Sequence, residues 1–88
     1  MGIALSTTDK LIARLLSRPK DFTFQELAVL LGRFGYKQDN LGKTSGSRVI
    51  SFNYDGDYIR LHKPYPGNVL KSYQVEDIIT ALKERRLL

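Results

Sequence analysis

Residues 46–67 read Gly46-Ser47-Arg48-Val49-Ile50-Ser51-Phe52-Asn53-Tyr54-Asp55-Gly56-Asp57-Tyr58-Ile59-Arg60-Leu61-His62-Lys63-Pro64-Tyr65-Pro66-Gly67. Two alternating runs stand on either side of Asp55-Gly56, a dipeptide that favours the tight two-residue turn of a β-hairpin. A turn there pairs Tyr54 with Asp57, Phe52 with Ile59, Ser51 with Arg60, Ile50 with Leu61 and Val49 with His62. Because side chains alternate across a strand, Ile50, Phe52, Ile59 and Leu61 share one face and form a core. Ser47, Val49, Ser51, Asn53, Tyr58, Arg60 and His62 share the other, which reads as a working surface. That face carries the chain's single histidine among basic and hydroxyl groups.

Working outward, the hairpin is embedded in helical patterns. Thr8 is placed to cap a first helix running to about Ser17, with Leu11, Ile12, Leu15 and Leu16 on its apolar side and Pro19 ending it. Thr23 and Glu26 form a capping-box pattern for a second helix. Phe24, Leu27, Ala28, Leu31 and Phe34 recur there at helical spacing, Val29 and Leu30 widen the stripe, and Gly35 is the stop signal. Tyr36 to Leu41 reads as a first strand, and Gly42 to Gly46 as a small-residue loop. Gly42-Lys43-Thr44 resembles the end of a phosphate-binding loop, but the required earlier glycine falls on Lys37, which removes a nucleotide site. After Pro64, Pro66 and Gly67, Ser72 is placed to cap a last helix with Val75, Ile78, Ile79 and Leu82 inward. Lys83, Arg85 and Arg86 complement its C-terminal dipole. The expectation is one α+β domain over residues 1–88, in the order α-α-β-β-β-α, with a three-stranded antiparallel sheet packed by helices.

The 88 residues suit one small domain, and the 42% hydrophobic content is that of a globular chain rather than a disordered one. There is no cysteine, so disulfides and thiolate chemistry are excluded. One histidine and no clustered carboxylates argue against a structural metal site, and no cofactor is expected. No run approaches a membrane-spanning length and no signal peptide is evident, which makes a cytoplasmic protein the expectation. The net charge of +5 favours a polyanion or an acidic protein as partner. From Lys37 to Lys71 the bases are Lys37, Lys43, Arg48, Arg60, Lys63 and Lys71, against Asp39, Asp55 and Asp57. Two of those acids flank the hairpin turn, so the positive charge gathers toward His62.

Three stretches carry a family resemblance: Gly46-Ser47-Arg48-Val49, the His62-Lys63-Pro64-Tyr65-Pro66 turn, and the Leu70-Lys71 entry into the last helix. With them the chain resembles the HicA toxins of bacterial toxin–antitoxin systems. That likeness covers most of the chain and implies a double-stranded-RNA-binding-domain-like fold. It further implies a ribosome-independent endoribonuclease that cleaves mRNA and is neutralised by a HicB-like antitoxin protein covering its active site. The better-known branch has Gly-Ser-His on its second strand, with the histidine catalytic. Arg48 holds that position here, as in a Gly-Ser-Arg branch with its histidine on the third strand before a proline turn. His62 fills that place, and Tyr65 stands where a second histidine often does.

Metal-independent RNA cleavage needs a base for the 2′-hydroxyl, an acid for the leaving oxygen and positive charge on the phosphate. A histidine side chain ordinarily changes charge near neutral pH, so His62 is the candidate base or acid, and Arg60, two residues back on the same face, the phosphate holder. Ser47 and Ser51 can donate to phosphate or ribose. Arg48 starts its strand on the core face and can reach the edge toward RNA, an acidic partner or a surface ion pair. Tyr58 can stack on unpaired bases, and Lys43, Lys63 and Lys71 can meet phosphates. Tyr65, between prolines, suits packing in the turn. The plainer readings are a hydrogen-bonded, inert His62 and solvated lysines. Two other functions fit the same sequence: a non-catalytic RNA-binding domain of the same fold, and a DNA- or protein-interaction module using Arg14, Arg18, Lys20 and Arg33.

Overall fold

The computed structural model describes residues 7–40, 49–64 and 67–88. The element order is α1 (Thr7–Leu16), α2 (Phe24–Arg33), β1 (Lys37–Asn40), β2 (Val49–Tyr54), β3 (Asp57–His62) and α3 (Ser72–Glu84), the α-α-β-β-β-α order expected. The sheet is antiparallel in the order β1-β2-β3, leaving β2 central and β3 at an edge. The hairpin register is the one its turn predicts, with Val49 opposite His62 and Phe52 opposite Ile59. Asp55 and Gly56 both have positive φ, 49° and 84°, the handedness that matches the natural twist of a hairpin.

Helix boundaries follow their caps. Thr23 accepts from the Glu26 N–H at 3.1 Å while the Glu26 carboxylate accepts from the Thr23 N–H at 3.0 Å, closing the expected capping box. At the other end of α2, Gly35 donates to the Gly32 carbonyl and Tyr36 to that of Leu31, with Gly35 left-handed at φ 96°. An added Cβ at Gly35 would lie 2.9 Å from the Tyr54 ring, a second reason for glycine there. Two ends depart from expectation. Thr8 lies inside α1 rather than at its cap. Ser72 is the first helical residue of α3, and the cap position is Lys71, whose N–H donates to Gln74 Oε1 at 3.0 Å. The Gln74 side chain accepts from the Lys71 N–H while the Gln74 N–H donates to the Lys71 carbonyl at 2.9 Å, and the helix starts one residue earlier than a serine cap would place it.

The core lies between the helices and one sheet face. Leu15, Leu27, Leu30, Leu31, Val75, Ile78, Ile79 and Leu82 from the helices meet Ile50, Phe52 and Ile59 from the sheet. Phe52 sits at the centre, 1% exposed, its ring 5.9 Å from that of Phe24. Val29, by contrast, is 47% exposed, so the widened stripe on α2 is only partly buried. The segment before α2 and the segment before α3 are laced together, Phe24 donating to the Asn68 carbonyl and Leu70 to that of Phe22. Arg18 holds a left-handed φ of 54° just after α1, and its guanidinium bonds Glu76 of α3.

The hairpin turn is tied to the far end of α3. Asp57 accepts from Arg85 Nε at 2.6 Å and from the buried Tyr36 hydroxyl at 2.5 Å. The Arg85 guanidinium, aided by Tyr36, holds the Asp57 carboxyl down at about 2, against an ordinary value of 3.8. Because the folded value is the lower one, ionised Asp57 stabilises the fold fully above the ordinary value, and the contribution is lost as pH falls from about 4 through about 2. Glu26, lowered chiefly by its bond to Arg14, adds a loss of the same sign. Asp57→Asn should therefore melt below wild type at neutral pH, and the gap should close by pH 2 in a thermal-unfolding series. A gap constant across that range would contradict the assignment.

Candidate RNA-binding face

Alternation along β3 turns Tyr58, Arg60 and His62 away from the helices, onto the open face of the sheet, and all three are exposed. The Arg60 guanidinium carbon lies 4.2 Å from the centre of the Tyr58 ring, a cation–π stack between same-face neighbours. The pair makes a flat, positively charged platform two residues from His62. Among the described residues, no carboxylate or hydroxyl bonds the His62 ring, while its carbonyl accepts from Gln74 Nε2 at 2.8 Å. The backbone that carries His62 is thus fixed to α3, and its imidazole stands open to solvent. The sequence anticipated Arg60, His62 and Tyr58 on one face, and the structure brings them together.

Ser51 departs from expectation. It shares that face, but it is 1% exposed and its hydroxyl donates to Asn53 Oδ1 at 2.6 Å. A strand flanked on both sides is the most covered of the three, and Ser51 sits at its middle. Its expected contact with RNA does not fit that burial. Lys63 follows β3 and Lys71 precedes α3, both exposed. Lys43, Ser47, Arg48 and Tyr65 lie outside the described residues.

Charge is distributed unevenly. Arg14 is paired with Glu26 at 2.7 Å and Asp21 at 3.0 Å, Arg18 with Glu76, and Arg85 with Asp57. These neutralised cations belong to the helices and their joints. Arg60, Lys63 and Lys71 enter no ion pair among the described residues. The same is true of Lys10, Lys20, Arg33, Lys37, Lys83 and Arg86 elsewhere on the chain, so the end of β3 and the start of α3 hold three of the cations that these pairs leave open to a polyanion.

Two positioning residues were not anticipated. Gln74 is 5% exposed and bonds Lys71 N–H with its oxygen and His62 carbonyl with its nitrogen, joining helix start to strand end. A lysine at the cap position falls outside the Ser/Thr/Asp/Asn signature of a capping box, so the Lys71–Gln74 spacing gave no signal for it. Arg85 reaches the Tyr58 carbonyl at 3.2 Å as well as Asp57. Its partners are 27 and 28 residues away, a separation for which one sequence offers no periodic signal. Among the described residues, no helix is long and apolar enough to cross a membrane. No protein-family model, curated protein or solved structure matches the chain.

Proposed function

We propose that this chain is an endoribonuclease toxin of the HicA kind, acting on mRNA in the cytoplasm and held in check by a HicB-like antitoxin. The observation that carries the reading is the exposed group of Arg60 and His62 on the open sheet face, beside cations that no ion pair neutralises. The Gly46-Ser47-Arg48-Val49 and His62-Lys63-Pro64 motifs supply the family side of the reading. In the reaction, His62 takes the proton of a ribose 2′-hydroxyl as its oxygen forms a bond to the adjacent phosphorus. Arg60 balances the charge that gathers on the phosphate oxygens. The bond from phosphorus to the 5′ oxygen breaks, and solvent supplies the proton that oxygen gains. The products are a 2′,3′-cyclic phosphate and a 5′-hydroxyl.

A second reading, a non-catalytic RNA-binding domain, is favoured by one observation: among the described residues, no group orients the His62 ring by a hydrogen bond. The helix-based DNA- or protein-interaction reading loses Arg14 and Arg18 to ion pairs and keeps Lys20 and Arg33, which are exposed and outside those pairs. Induced expression separates the first two. Growth arrest with fragmented mRNA supports the nuclease, and growth with intact mRNA supports the binding domain.

A further inference from the structure

A groove of about 380 Å³ runs between β3 and α3, lined among others by Tyr58, Arg60, Tyr73, Asp77, Ile78 and Glu84. That volume falls within the roughly 300–1,000 Å³ of small-molecule sites. One wall is the free edge of the sheet. In a two-residue hairpin closed by Tyr54 and Asp57, the pairs Phe52–Ile59 and Ile50–Leu61 exchange the ladder bonds. The main-chain groups of Tyr58, Arg60 and His62 therefore face outward into the groove.

Side chains cap both ends of that edge. Arg85 donates to the Tyr58 carbonyl at 3.2 Å, the Asp57 carboxylate accepts from the Tyr58 N–H at 2.8 Å, and Gln74 donates to the His62 carbonyl at 2.8 Å. Between these caps, no donor or acceptor among the described residues meets the N–H and C=O of Arg60. An added β-strand would need the whole edge and would have to displace both caps. The open stretch fits one planar group that presents a donor beside an acceptor.

We infer that the groove holds a single unpaired nucleobase of an RNA strand, its Watson–Crick edge on the main chain of Arg60. This rests on the RNA reading above and names the substrate class as single-stranded. All four bases carry an adjacent donor and acceptor on that edge, so the Arg60 main chain reads whether a base is unpaired rather than which base it is. Tyr58 and Tyr73, 50% and 59% exposed, supply the stacking faces. The carboxylates of Asp77 and Glu84 keep phosphates off the helix side of the groove. The strand's backbone then passes over the open face, where Arg60, His62 and Lys63 are exposed. Arg60 thus serves the base with its main chain and the phosphate with its side chain.

The test uses the full chain and 2′-O-methyl RNA hexamers of mixed sequence, which lack the attacking hydroxyl. Affinity is measured for the single strand, its duplex, and a strand of the same length that is abasic at every position. The intact single strand should bind about tenfold tighter than the other two, and Tyr73→Ala should remove most of that advantage while leaving the abasic strand's affinity unchanged. Equal binding of all three would overturn the base site and leave the RNA reading standing. A Tyr73→Ala chain that keeps the full single-strand advantage would likewise overturn this placement. Absence of salt-dependent binding to any of them, abasic included, would overturn the RNA reading and the base site with it.

Discussion

His62→Ala is expected to lower RNA cleavage by about 10²–10⁴-fold, the usual contribution of a positioned general acid or base. The stability of the fold should stay within about 0.5 kcal/mol of wild type, as for an exposed side chain whose ring bonds nothing among the described residues. That separation gives the substitution its value. The contact that fixes this end of β3 runs from Gln74 to the His62 carbonyl, which alanine retains. A loss of cleavage with an unchanged urea midpoint would place the effect on the imidazole. Unchanged cleavage would move the chemistry to another group, with Arg48 and Lys63 next to be examined. RNA affinity should fall far less than cleavage, because the charge of Arg60 and Lys63 remains.

Phe52→Ala should show the largest effect on stability. Phe52 lies on the central strand, is 1% exposed and packs against Phe24 beneath the helices. Truncating a buried phenylalanine costs about 3–5 kcal/mol, part of it lost transfer free energy and part the cavity left behind. A domain of this size has a total of roughly 4–13 kcal/mol, so the substitution takes a large share and the chain should be partly unfolded near its growth temperature. Urea denaturation with Val29→Ala as comparison tests this, since Val29 is 47% exposed and should change stability by about 0.5 kcal/mol or less. Equal effects at the two positions would contradict the assigned core.

Much of the fold was legible because a few local signals are strong. Asp55-Gly56 fixes the turn, the turn fixes the pairing, and the alternation then assigns each side chain to a face. Thr23, Glu26 and Gly35 bracket α2 for equally local reasons. Alternation does not, however, say whether a face is open at a given residue. Ser51 was placed on the correct face, yet its burial depends on its position in the central strand. The last helix shows the same limit: Ser72 looks like a cap, but Gln74 bonds Lys71 through both side chain and main chain, and the helix starts one residue earlier. The clamps at Tyr58 and His62 are tertiary, set by how α3 lies along β3, and pattern within one element cannot reveal them. Arg60 and His62 were legible as a pair because their spacing of two is the period of a strand. Lys43, Ser47 and Arg48 lie outside the described residues, so the site as placed rests on β3 and the start of α3.

The central claim is that the face carrying Arg60 and His62 cuts RNA through the 2′-hydroxyl. Incubating the purified chain with a single-stranded RNA oligomer in a chelating buffer, and identifying the ends of the products, tests it most directly. Fragments ending in a 2′,3′-cyclic phosphate, paired with 5′-hydroxyl ends and lost with His62→Ala, are the expected result. Fragments with 3′-hydroxyl ends, or RNA left intact by a chain that binds it, would contradict the claim.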